Sequence, residues 1–526
     1  MRKKVNLILT AVLLVTFILS SCNGSSSKKN DPNTLYVGNY FGALGDGWLK
    51  EAAKGWEALH DNEYKIEIIN EKDLYSSSTL ATTMPTNRED MYLLTGLTYE
   101  TFIDKGYLHD ITDIVTTELS EYGETRTIEE KIFPQVRDYY NQEDKYYALP
   151  FHMAFTTIVY DIDLFDEYNF YFNYSGAGFI TQASQKKSVG PDGVEGTDDD
   201  GLPATLSQFK QLLAEMRKKG VKPFTWTGQY PHYRKRWLAS AWVDYEGAYG
   251  YNLNNNFSGA YNFGDGSVTI NNSNAYLLQK QPGKLYALEL AASIMDDPDY
   301  YSSFGFTTSQ SHLSAQDEFL MSRQRNQPIG MIIENTWWES EATGTFNDMS
   351  VKYGDKWSKA NRRFGMLPIP KPDDGSGAEE MTLMCTGGDS VVCIYSGSPK
   401  TALAEDFVRY LHSDEILRLF HRYTGVARAF DYDLTASDLA QMTEYTKIMY
   451  NYTNNLNLPI VFYNMFESEL RRNNYSYFLE WSWNTTVNSV PYDDPFIAFR
   501  NMASMTPQKY FDGLSAPYSD WGNRFL

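Results

Sequence analysis

Short apolar strand signals alternate with amphipathic helices along most of this chain, and no other feature of the sequence restricts its fold as much. Leu35-Tyr36-Val37 reads as a short strand that ends at Gly38-Asn39. From Trp48 to Leu59, the residues Leu49, Ala52, Ala53, Trp56 and Leu59 recur at helical spacing, with Lys50, Glu51, Lys54 and Glu57 opposite. Tyr64 to Ile69 alternates as a strand. Thr205 and Gln208 make a capping box ahead of Phe209, Leu212, Leu213 and Met216, and Gly220 and Pro223 stop that helix. Ser398-Pro399 opens another helix, and Ser413 is expected to cap a further one through Phe420. Strands in alternation with helices predict a parallel-rich α/β architecture.

The 526 residues are too many for one small module and suggest two to four units at roughly 150 residues each. An apolar content of 42% with 15% aromatic residues excludes a wholly disordered chain. The net charge of −21 argues against nucleic acid, whose phosphates call for Lys and Arg, and against a polybasic hold on anionic lipid.

The N-terminus reads as an address. Arg2, Lys3 and Lys4 precede an apolar stretch from Val5 to Leu19, and Leu19-Ser20-Ser21-Cys22 follows. That ending resembles the bacterial lipobox, which implies removal of residues 1–21 and lipidation of Cys22. Residues 22–34 then form the lipidated Cys and a polar tether, so the body is expected to stand at the outer face of the cell membrane. Cys385 and Cys393 flank an apolar run and read as two small buried thiols.

Further along, LYVGNY, GWLKEAAKGWEAL, YKIEIIN, EDMYLLTG and FIDKGYLHDITDIV come in order. EDKYYALPFHMAFTTIVYDIDLFDEY, ATLSQFKQLLAEMRKKGVKPFTW and AQDEFLMSRQRNQPIGMIIENTWW follow. RRFGMLPIPKP and then GGDSVVCIYSGSPKTALAEDFVRYLHSDEILRLF with TGVARAF complete the series. This succession resembles the family 1 extracellular solute-binding proteins, the sugar-capturing lipoproteins of ABC importers. The resemblance implies a periplasmic-binding-protein-like fold, two α/β lobes joined by a hinge with ligand in the cleft. It places one lobe at residues 35–150 plus 380–430 and the other at 151–379 plus 431–526, with a crossing near Leu149-Pro150-Phe151. It also implies a monomer that closes on a carbohydrate, an oligosaccharide by preference, and delivers it to ABC transporter permease subunits.

Sugar binding calls for flat rings against C–H faces and fixed polar groups against hydroxyls. Trp337 and Trp338, next to Glu334 and Asn335 at the end of the apolar run from Ile329 to Ile333, supply both. Other candidates at strand ends are Asn39, Tyr40, Phe41 and Asp46 in the first loop, His152 after the crossing, Trp226, Asp389 and Arg428. The segment from Gly190 to Gly201 packs carboxylates between glycines, and similar loops in some sugar-binding relatives suggest a structural calcium ion. Asp192, Asp198 and Asp200 would be its ligands, and no other cofactor is required. There is no GxSxG elbow, HExxH or P-loop, so no catalytic residue is assigned. The alternatives are a surface glycoside hydrolase using a carboxylate pair, or a glycan-docking lipoprotein that engages no permease.

Overall fold

In the computed structural model the first strand, β1 (Thr34–Tyr40), runs past the expected tripeptide because Gly38 and Asn39 continue its ladder. The structure describes residues 31–71, 75–387, 390–454, 458–463, 481, 483–487, 490–492 and 494–514. The lipobox with Cys22 and the candidate Asp389 lie outside them. After β1 come α1 (Gly47–Leu59), β2 (Lys65–Glu71) and β3 (Met91–Leu94). The helix α1 turns Trp48, Leu49, Ala52, Ala53 and Trp56 inward, the stripe its spacing predicts.

Two sheets organise the molecule. In the first, β2, β1 and β3 lie parallel, followed by β9 (Val391–Ile394) and the short β4 (Leu149–Pro150), with β9 antiparallel to both neighbours. The second sheet has the order β8 (Phe364–Leu367), β5 (Thr156–Asp161), β7 (Ile329–Asn335), β6 (Lys222–Thr225). Here β6 and β7 are parallel, whereas β5 runs antiparallel to both β7 and β8. Both faces of this sheet are buried. Val159, Ile332 and Phe364 face a core shared with the first sheet, and Ile158, Met331 and Ile333 face a second core. The alternation follows from the two-residue period of a strand.

Two stretches pass between the sheets side by side. Residues 151–155 lead from β4 to β5, and Thr386, Gly387 and Ser390 lie on the return towards β9. The Thr386 amide donates to the Ala154 carbonyl at 2.6 Å, and the Phe151 amide to that of Ser390 at 3.1 Å. The Ser390 hydroxyl accepts from the His152 amide at 3.1 Å and lies 3.1 Å from the His152 carbonyl.

Local signals mostly placed the elements and sometimes misjudged their ends. The helix α2 (Leu206–Lys218) starts at Thr205, whose hydroxyl accepts from the Gln208 amide at 3.3 Å. The reciprocal half of the capping box is missing, because the Gln208 side chain accepts from the Ala204 amide and donates to the Gly176 carbonyl. The Ser413 hydroxyl likewise donates to the Tyr410 carbonyl and does not cap the helix Asp414–Thr424. Cys385 and Cys393 are both free and buried, and burial raises the Cys393 thiol to about 12. Among the described residues no helix is long and apolar enough to cross a membrane.

A long helix, α3 (His232–Asn256), follows β6 and is broken at Gly247, where φ is +68°. Near its start the buried Arg234 meets the buried Asp494 at 2.5 Å and also donates to the Thr227 and Gly305 carbonyls, each at 3.0 Å. Removing one partner would strand the other charge in the core. Asp494→Ala is therefore expected to destabilise the protein by roughly 3–5 kcal/mol, and replacing both residues by apolar ones by less. Urea denaturation of the single and double variants checks this.

Candidate functional site

The ends of several strands converge on a cavity of about 660 Å³. Tyr40 closes β1, Thr95 and Gly96 follow β3, and Asn335 closes β7, with Trp337 two residues on. His152, Thr386, Gly387 and Ser390 enter from the two crossings, so both sheets and their connection contribute to the wall. The first turns of α3 add His232, Tyr233 and Arg236, and Tyr230 stands just before the helix. His312 opens the helix α4 (His312–Met321), and Glu341 ends the short helix Trp338–Glu341. In open α/β folds a crevice at the carboxyl ends of strands is the usual ligand position.

Two wall groups have hydrogen-bonding capacity left over. His152 is 3% exposed, and neither of its ring nitrogens has a partner. Burial, reinforced by the charge of Arg428, pushes the imidazole down to about 3, so it stays neutral at ordinary pH. Its ring meets Trp337 edge-on, with centroids 5.8 Å apart at 84°. The indole Nε1 of Trp337 is also without a partner. His232 is open to the cavity but walled by protein. That confinement and the charges of Arg236 and Lys235 lower its imidazole to about 4. Beyond Tyr230, which contacts both His232 and His312, Glu341 accepts from Gln316 Nε2 at 2.8 Å and lies 3.5 Å from His312 Nε2.

Of the twelve sequence candidates, Trp337, Asn335, Tyr40 and His152 line this cavity. The others that the structure describes do not. Trp338 is fully buried, packed edge-on to Phe364 at 4.9 Å and against Phe319, Phe346 and Tyr445. The chain turns into a helix here, and successive helical side chains diverge by about 100°, so the paired indoles part company. Glu334 points from the same strand into the interior, where Gln316 Nε2 donates to it at 3.3 Å. Trp226 is a core ring, stacked on Tyr301 and donating to the Gly305 carbonyl at 2.9 Å. Asn39 ties the first loop through Gly45 and Asn70, and Asp46 accepts from Asn70 and pairs with Lys50 at 2.7 Å. Phe41 is 47% exposed on the surface. Arg428 is buried and donates to the Pro150 and Leu411 carbonyls.

Sequence reasoning missed the contribution of α3. The run Tyr230-Pro231-His232-Tyr233 with Arg236, directly after β6, carried the signal: rings, an imidazole and a guanidinium on the opening turns of a helix. The carboxylates of the acidic loop are engaged within the protein. Asp192 accepts from the Val194 amide, Asp200 from the Gly196 amide, each at 2.8 Å, and Asp198 from Asn451 Nδ2 at 2.9 Å. Asp199 is fully buried, and burial raises its carboxyl to about 7, with the nearby Asp192 charge adding to the rise. Gly190 (φ +66°) is required here, since a Cβ would lie 2.3 Å from the Asp199 carbonyl oxygen. Among the described residues no group of three or more His, Cys, Asp or Glu side chains is placed to hold a metal ion. Calcium in this loop remains an expectation from composition and resemblance.

Residues 51–448 match the family model described as bacterial extracellular solute-binding protein. This chain belongs to that family. Its fold is also that of solved sugar-binding proteins, at low identity. A chitin oligosaccharide binding protein aligns with TM-score 0.57 and 14% identity over 93% of this chain and 99% of its own. A protein described for xylan utilization by the thermophilic bacterium Caldanaerobius polysaccharolyticus gives 0.57 and 14% over 92% and 99%. The solute-binding protein RafE in complex with raffinose gives 0.53 and 14% over 93% and 99%. A comparison with curated proteins returned no match.

The two neighbouring indoles can be told apart by substitution. Trp338→Ala empties a core site and is expected to cost about 3–5 kcal/mol of stability. Trp337→Ala, on a ring already partly open, should cost much less; equilibrium unfolding of the pair decides.

Glu334 gives a pH test. Its burial, and then the charge of Glu341, raise the carboxyl well above the ordinary 4.5. Folding then takes up a proton, so this group's contribution to stability is present at low pH and lost as pH rises past that ordinary value. Glu334→Gln keeps the shape and cannot ionise. It should therefore gain stability relative to the parent as pH rises from about 5 to 8, measured by thermal unfolding across that range.

Proposed function

We propose that this solute-binding protein captures a carbohydrate in the cavity between its two sheets, closes about the paired crossings, and delivers the ligand to an ABC transporter permease. One observation carries the reading. A cavity wall of rings, Trp337, Tyr40, Tyr230 and Tyr233, also holds unspent hydrogen-bonding groups at His152 and at the Trp337 indole nitrogen. Rings cover the apolar faces of a sugar, and fixed donors and acceptors meet its edges.

The volume of about 660 Å³ suits roughly two or three sugar rings. The xylan, chitin oligosaccharide and raffinose associations of the aligned structures support the same ligand class. Catalysis is not part of the proposal. A glycosidase needs two carboxyl groups across its cleft, and among the described residues Glu341 is the one carboxylate that lines the cavity. Export and anchoring through Cys22 complete the proposal, with the polar tether giving the body reach from the membrane.

A ligand that binds only the folded state stabilises it by about 2.7 kcal/mol at a hundredfold excess over Kd. A thermal-shift screen of purified protein against neutral and acidic oligosaccharides is therefore expected to find at least one that raises the melting temperature by a few degrees. Trp337→Ala should weaken that ligand at least tenfold by calorimetry. A complete panel with no shift would exclude the carbohydrate reading.

A further inference from the structure

Three cationic residues follow one another at the opening of α3, and their side chains have different fates. Arg234 is consumed by the buried Asp494, and Lys235 also has a partner. Arg236 lines the cavity and forms no ion pair with any described residue. A half-buried guanidinium in a cavity wall with no carboxylate paired to it keeps its planar fork free to donate two parallel N–H···O bonds to an oxyanion.

The surroundings favour the same occupant. Arg236 sits on the second turn of α3, whose N-terminus carries the positive end of the helix dipole. His152, buried, unpartnered and lining the same cavity, offers a further polar contact. Glu341, which also lines the cavity, is already engaged by Gln316 and His312. The helix end alone would not define a site; the unpaired guanidinium and the unpartnered imidazole in one cavity do.

We propose that the captured saccharide is acidic, with one oxyanion group, a uronic acid carboxylate or a sulfate ester, seated on Arg236. This rests on the carbohydrate reading and narrows it. A neutral sugar can satisfy the rings and His152 but leaves the fork of Arg236 to hydroxyl groups. An oxyanion fills the fork with charge-assisted bonds and accounts for the lack of an ion-pair partner among the described residues. The chain's net charge of −21 opposes an anionic ligand at long range, so the attraction has to be local.

The test uses thermal shift and calorimetry on the full mature chain with matched glycans. These are xylo-oligosaccharides with and without a glucuronate branch, oligogalacturonates and their methyl esters, and sulfated and unsulfated chondroitin disaccharides. The inference expects an acidic member to give the strongest stabilisation, with affinity falling as salt rises. The uronate and sulfate arms tell the two oxyanions apart.

Arg236→Gln should weaken that ligand by about 30-fold or more and the neutral counterpart by a much smaller factor, while leaving the unliganded melting temperature nearly unchanged. Arg236→Lys should recover part of the loss. A neutral glycan binding best would overturn the inference and leave the carbohydrate reading intact. So would an acidic ligand indifferent to Arg236→Gln. Stabilisation by none of the glycans would overturn both.

Discussion

The guanidinium of Arg428 holds the junction on which the cavity depends. It is fully buried and donates to the Pro150 carbonyl at 3.1 Å and the Leu411 carbonyl at 2.9 Å, with the His412 ring nitrogen 2.7 Å away. Phe151, Phe420 and Phe430 surround it at 5.3–6.0 Å. Burial lowers its pKa to about 9, which still leaves it charged at neutral pH. Carbonyl dipoles and ring faces thus do the work of a counter-ion. The point held is the last residue of β4, two positions before His152. A shift there would move the imidazole, and with it the cavity wall.

The paired crossings extend this logic. Ser390 bonds to backbone on both sides, so the outgoing and returning stretches behave as one ribbon. The two cores on either side of the second sheet are well filled, with Trp48 and Trp56 in the one that both sheets share and Trp226, Trp237 and Trp242 in the other, all fully buried.

How far the sequence could be read depended on the range of the interactions concerned. The helix α1 and the strand β2 follow from local periodicity and β7 from its apolar run, and the order of segments pointed to the right family. The cavity was only partly legible. Trp337 and His152 stand at strand ends and could be found there, but a strand-end position does not tell which way a ring turns. Trp226 and Trp338 turn inward because Tyr301 and Phe364, distant in sequence, wait for them. Arg428, a candidate for the ligand site, is instead buried, held by carbonyls 17 and 278 residues away. The role of Arg236 is visible only once Asp494 has been seen to claim Arg234.

The adjacency of Trp337 and Trp338 has one more consequence. The second indole is locked among Phe319, Phe346, Phe364 and Tyr445, and it shares a peptide unit with the first. Trp337 therefore stands on a backbone whose position is set by the core of the protein. An aromatic platform on a free loop would have to be ordered each time a ligand arrived, at the cost of conformational entropy. Here that ordering is completed when the chain folds, so in the proposed binding step the ring would already be in place.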